Sequence, residues 1–166
     1  MNIAIIGSGK LIPTAMEAIL EVPELVPEAI YARPQSAAKA GALAERYHIH
    51  RVFTDYDALL ADPSIEAVYI ALVNTAHFEY AKKALLTGRH VLLEKPFTTT
   101  AADARELQAL ALQGDAFLME ALTSRHALTY RRMLELLPKV GTVRLVLANY
   151  SYYSQIRYRQ YKRDMV

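Results

Sequence analysis

The chain of 166 residues has no cysteine. That excludes disulfides, thiolate metal sites and cysteine nucleophiles, and it fits a reducing compartment. Charge of one sign is also lacking: the formal net charge is +2, so no strong field favours nucleic acid or a membrane surface. No apolar run reaches the length of a membrane span. The first residues lack a basic segment followed by a long apolar one, so they do not read as a signal peptide. A cytoplasmic protein is expected. No metal site is expected either. The five histidines form no His-Glu-x-x-His helix, and carboxylates do not cluster. There is no Gly-x-Ser-x-Gly elbow and no phosphate loop ending in Gly-Lys-Ser/Thr. With 53% hydrophobic and 22% charged residues, the chain is long enough to bury a real core.

Two of only six glycines stand together. The apolar run Ile3 to Ile6 reads as a central strand buried on both faces, and it stops at Gly7-Ser8-Gly9. A helix then fits from about Pro13, with Ile12, Ala15, Met16 and Ile19 on one face. Strand, glycine turn and helix form the context in which Gly7 makes a tight turn. Gly9 there lets backbone N–H groups approach a pyrophosphate. Ile12 stands where the third glycine of that fingerprint belongs, so an ordinary turn remains open.

Ala29 to Ala32 reads as the second strand, with Pro27 at or before its start. Its end carries Ala32-Arg33-Pro34 in place of the acid that binds ribose hydroxyls. Arg33 could pair with a 2′-phosphate, which favours NADP over NAD; a solvated loop arginine is the other reading. Ser36 can cap a helix carrying Ala40, Leu43, Ala44 and Tyr47. Val52-Phe53 and Ala67 to Ala71 are further strands. The latter opens into Leu72-Val73-Asn74 and a helix with Phe78, Ala81 and Leu85, which Gly88 ends. His77, in the first turn of that helix, can be a capping residue or a site residue on its spacing alone.

Val91-Leu92-Leu93 runs into Glu94-Lys95-Pro96, which brings a charged pair to the carboxyl edge where open α/β sheets bind ligands. Lys95 could serve as a general acid there, or the pair could be an exposed ion pair. Thr100 to Asp103 resembles a capping box, and Ala116 to Met119 reads as a strand ending at Glu120. A helix with Tyr130, Leu134 and Leu137 follows, stopped by Pro138 and Gly141. Thr142 to Asn149 reads as another strand. Tyr150 to Val166 is rich in tyrosine and arginine, which could stack bases. The near-neutral chain argues for an interfacial segment and against nucleic acid.

Together these residues resemble the N-terminal part of the Gfo/Idh/MocA oxidoreductases, over essentially the whole chain. The motifs are Gly7-Ser8-Gly9, Ala32-Arg33, Asn74-x-x-His77, Gly88 through Pro96, and Met119-Glu120-Ala121. The dihydrodiol dehydrogenase-like branch is most similar. The resemblance implies an α/β fold: a Rossmann-type doubly wound parallel sheet over 1–121, with 122–166 starting a truncated C-terminal α/β domain. It implies hydride transfer between nicotinamide and a sugar, polyol or diol, as a small-molecule substrate, in a homo-oligomer. NADP is the expected cofactor, with NAD possible. Lys95 is the implied catalytic residue. Cofactor contacts are implied for Gly7, Ser8, Gly9, Lys10 and Leu11; for Ala32 and Arg33; and for Leu72, Asn74 and His77. Glu94, Lys95, Pro96, Glu120 and Arg125 complete the set; the resemblance leaves the Lys95–Pro96 bond open to either cis or trans, which sequence does not show. Ile12 is expected to crowd the turn, and Leu128 stands where the family commonly has proline. Members of the family are about twice as long, with a second domain carrying an Asp and a His that complete the site. A dinucleotide-binding module without turnover is the alternative reading.

Overall fold

A computed structural model describes residues 1–151. The chain forms two compact units, 1–123 and 124–166. The first is a six-stranded parallel sheet with β1 (Asn2–Ile6), β2 (Val26–Tyr31), β3 (Arg51–Phe53), β4 (Ala67–Ile70), β5 (His90–Leu93) and β6 (Leu118–Glu120). The strand order is β3-β2-β1-β4-β5-β6. Every pairing is parallel. This is the doubly wound order, with its switch point between β1 and β4. β1 and β4 are continuous apolar runs because helices cover both their faces. Pro27 is tolerated in β2 because β3 pairs only from Ala29 onward, so one side of the strand is free there.

Alternation sends neighbouring residues to two separate cores. Ile3, Ile5, Ile30 and Tyr69 face α1 (Ile12–Leu20) and α2 (Ala37–Tyr47). Ala4, Ile6, Tyr31, Ile70 and Leu93 face α3 (Tyr56–Leu60), α4 (His77–Leu86) and α5 (Ala101–Gln113). Ile12 and Met16 are fully buried, and each such side chain stabilises the fold by about 2 kcal/mol. Ile12 therefore does not crowd the turn; it anchors the start of α1 in the core. The Thr100 hydroxyl accepts from Asp103 N, as the capping pattern requires. Ser36 occupies the N-cap of α2 but its side chain makes no capping bond. Gly88 follows α4 with φ +76°, a conformation that favours glycine.

The amino-terminal edge of the sheet is held by a polar cluster. Arg51 at the start of β3 pairs with Asp62 and, at 3.0 Å, with Glu28. The Ser64 hydroxyl and backbone N–H donate to Asp62 at 2.7 and 2.9 Å. These bonds, the hydroxyl's foremost, and then Arg51 hold the Asp62 carboxyl below its usual range. A depressed carboxyl contributes stability above its unfolded pKa, and that contribution fades as pH falls through the folded value. Asp62→Asn should lower the urea midpoint near neutrality and converge with the unaltered chain in acid. A constant difference at all pH values would refute this.

The second unit holds α6 (Leu128–Leu136), followed by a short 3₁₀ turn over Leu137–Val140 and by Gly141 at φ +76°. The strand expected over Thr142 to Asn149 is not formed. A strand exists by virtue of its ladder partner, and no described strand pairs with this segment. The tyrosine- and arginine-rich tail from Tyr152 lies outside the described residues. No described helix is long and apolar enough to cross a membrane.

Candidate functional site

The carboxyl ends of β1, β2, β4 and β5 open into one cleft of about 410 Å³. Its floor is the glycine turn. Gly7 sits at φ +129°, and a Cβ there would lie 2.5 Å from the Ala71 carbonyl oxygen, so the exits of β1 and β4 touch through it. A Cβ on Gly9 would meet nothing within 4 Å, so that glycine keeps open the space above the turn. No side chain caps the N-terminus of α1, although Pro13 removes one of its donors. A pyrophosphate fits this cradle: open space over Gly9, close backbone and an uncapped helix start.

Of the residues expected at the site, Gly7, Ser8, Gly9, Lys10 and Leu11 line the cleft on one side. Ala32, Arg33, Leu72, Glu94 and Lys95 line the remainder. Among the described residues four cations, Lys10, Arg33, Lys39 and Lys95, line it against the single carboxylate of Glu94. That carboxylate is already engaged. Oε1 accepts from the Tyr69 hydroxyl at 2.9 Å and Oε2 from Lys95 N at 3.1 Å. Burial first, then this bond to Glu94, pushes the Tyr69 phenol well above its usual pKa, so it remains a neutral donor. Among the described residues Lys95 Nζ forms no ion pair with Glu94, so the strand-end ion pair is not present.

Other expected contacts lie elsewhere. His77 is fully buried and is not among the residues lining the cleft, and the N-cap of α4 is Ala76, with no side-chain capping bond. Its Nδ1 is 2.8 Å from the Pro96 carbonyl oxygen and its Nε2 3.2 Å from that of Leu72. Glu120 is half-buried on β6, and its Oε1 accepts from Phe97 N at 3.0 Å. The Lys95–Pro96 bond is cis. Pro96 itself does not line the cleft, and Asn74 is exposed at the start of a 3₁₀ turn beyond it. Arg125 is exposed and belongs to the second unit.

Ser36, expected only as a helix cap, and Lys39, expected in no role, line the same cleft. The 3₁₀ turn Pro34–Ser36, closed by Ser36 N donating to the Arg33 carbonyl at 2.8 Å, folds them back beside Arg33. The readable signal was a hydroxyl and a cation three and six positions after Arg33, spanning that turn and the start of α2.

A 3-2-1-4-5-6 parallel sheet with a glycine cradle at its switch point defines a dinucleotide-binding domain. Residues 1–122 match the Gfo/Idh/MocA family model, described as "Oxidoreductase family, NAD-binding Rossmann fold", and the chain belongs to that family. It is 31% identical over its full length to scyllo-inositol 2-dehydrogenase (NADP(+)) IolU of Bacillus subtilis, covering 50% of that protein. It is 28% identical over 148 residues to trans-1,2-dihydrobenzene-1,2-diol dehydrogenase of Xenopus tropicalis, covering 88% of this chain and 45% of the relative. Among solved structures it resembles KijD10, a 3-ketoreductase from Actinomadura kijaniata in complex with NADP and TDP-benzene. That match has TM-score 0.78 and 30% identity, over 84% of this chain and 42% of the other. The chain spans about half the length of the curated relatives it matches.

Proposed function

We propose that this chain is the cofactor-binding part of an NADP-preferring oxidoreductase acting on a hydroxyl or carbonyl of a sugar, polyol or diol. The observation that carries the reading is the single cleft holding the glycine cradle, Arg33 with Ser36 and Lys39, and Lys95. The turn and the start of α1 hold the pyrophosphate. Arg33, with the Ser36 hydroxyl and Lys39, holds a 2′-phosphate at the end of β2, where no acid repels it. The dinucleotide, when bound, supplies or accepts the hydride. Lys95 holds the substrate oxygen and gives or takes its proton. Residues 124–166 belong in this reading to the start of a second, substrate-binding domain.

The NADP(+) of the related scyllo-inositol 2-dehydrogenase IolU, and the NADP held by KijD10, support the cofactor choice. The cysteine-free composition supports a cytoplasmic setting. Exposed Leu145, Val146 and Leu147 support self-association, which sedimentation of the same samples checks. Titration followed by nicotinamide fluorescence should show NADPH bound about tenfold more tightly than NADH. Binding of neither would overturn the functional reading, and tighter NADH binding would overturn the cofactor choice.

A further inference from the structure

We propose that His77 and Glu120 are positioning residues that hold the Lys95-Pro96-Phe97 segment against the nicotinamide half of the cleft, and that neither touches the cofactor. This rests on the functional reading above.

The segment after β5 is held from both faces of the sheet. On the α1–α2 face, Glu94 bonds Tyr69 and Lys95 N. On the other face, His77 from the first turn of α4 meets the Pro96 carbonyl, and Glu120 from β6 takes Phe97 N. Lys95 N, the Pro96 carbonyl and Phe97 N thus each end on a side chain. Both His77 contacts run to carbonyls, which only accept, and a neutral imidazole has one N–H to give. The shorter contact is that of Nδ1 with the Pro96 carbonyl, and a proton on either ring nitrogen has a carbonyl to accept it. Nε2 then faces the carbonyl of Leu72, which lines the cleft at the exit of β4. A ring sealed from solvent between two cleft-bearing segments fixes their separation. In a packed interior such spacers are rigid, because a lost bond leaves a buried polar group unpaired.

Position in the sheet decides which half of the ligand is affected. The β1–β3 half of a doubly wound sheet holds the adenosine side and the β4–β6 half the other mononucleotide. His77 and Glu120 both belong to the second half. Their loss should therefore spare the adenosine side.

The test compares NADPH with adenosine 2′,5′-bisphosphate, which lacks the nicotinamide half, on the full chain. His77→Phe should weaken NADPH about tenfold and leave the bisphosphate unchanged. His77→Gln, which keeps a donor, should recover part of the loss. Glu120→Leu should behave like His77→Phe, whereas Glu120→Gln, which keeps an acceptor oxygen, should stay near the unaltered chain. Equal weakening of both ligands, or of neither, overturns the proposal. A second readout needs no ligand. The Phe97 amide should exchange with solvent faster in Glu120→Leu while the amides of β5 do not. Unchanged exchange at Phe97 overturns the proposal too. Failure of the unaltered chain to bind either ligand would instead count against the functional reading.

Discussion

Gly7→Ala is expected to cost the protein a large part of its stability, while Gly9→Ala folds normally and loses dinucleotide binding. The two glycines share a turn but do different things. Gly7 N donates to the Tyr31 carbonyl at 2.8 Å, and Ala71 N donates to the Ile6 carbonyl at 2.9 Å. The exit of β1 is thereby stitched to β2 and β4 at once. An alanine Cβ would sit 2.5 Å from a backbone oxygen that these bonds hold in place. It would also have to adopt φ +129°, a region that side chains avoid. Strain and collision together should cost about 3 kcal/mol or more, against a total of roughly 5–15 kcal/mol for a domain. Gly9 has neither problem: no neighbour lies within 4 Å of its Cβ position and its backbone is unstrained. Its methyl group would instead occupy the space a pyrophosphate needs. Urea midpoints should separate the first variant from the second, and NADPH titration should separate the second from the unaltered chain. Wild-type stability in Gly7→Ala, or undiminished binding in Gly9→Ala, would contradict the division.

What could be read in advance follows from where information is local. Strand, turn and helix around Gly7 are encoded within twenty residues: an apolar run, two glycines and a 3.6-residue stripe. The cleft residues of that unit followed, because every parallel strand delivers its exit to one edge. His77 was ambiguous because spacing shows the turn a residue occupies, not whether its ring points into the cleft or beneath it. Here it points beneath, between Leu72 and Pro96, which are separated by a whole helix in sequence. Glu120 was expected among the cofactor contacts; the structure places it on β6, outside the cleft lining, and its bond to Phe97 N is a long-range fact. Ile12 looked like a defect in a glycine pattern, yet in three dimensions its side chain lies in the α1–α2 core. The segment Thr142 to Asn149 shows the opposite failure. Its apolar alternation suits a strand, but propensity for a pleated surface cannot supply a neighbour to pair with. Lys39 is not legible from the end of β2 alone, because it is the short turn after that strand that returns the chain to the same cleft.

Arg33→Asp should reverse the cofactor preference. The side chain is exposed at the end of β2, so the change leaves the core untouched. The cleft wall there holds Arg33, Ser36 and Lys39, and among the described residues the only carboxylate lining the cleft, Glu94, lies at the exit of β5. In the proposed reading a 2′-phosphate meets two cations and a hydroxyl there. Charge-assisted bonds of this kind are worth about 1.5–3 kcal/mol each, so removing one and installing a like charge should weaken NADPH about a hundredfold. NADH carries hydroxyls at that position, and a carboxylate at the end of the second strand is the group that accepts from them. Its affinity should hold or improve. Lys39→Ala should weaken NADPH less, because its charge acts without the bidentate fork of Arg33. Raising ionic strength should narrow the unaltered chain's preference, since these cations are partly exposed and screened. Fluorescence titrations of both cofactors with the three proteins at two salt concentrations give the full pattern. NADPH preference surviving in Arg33→Asp would place the phosphate contact elsewhere in the cleft, with Lys10 as the remaining cation beside the glycine turn.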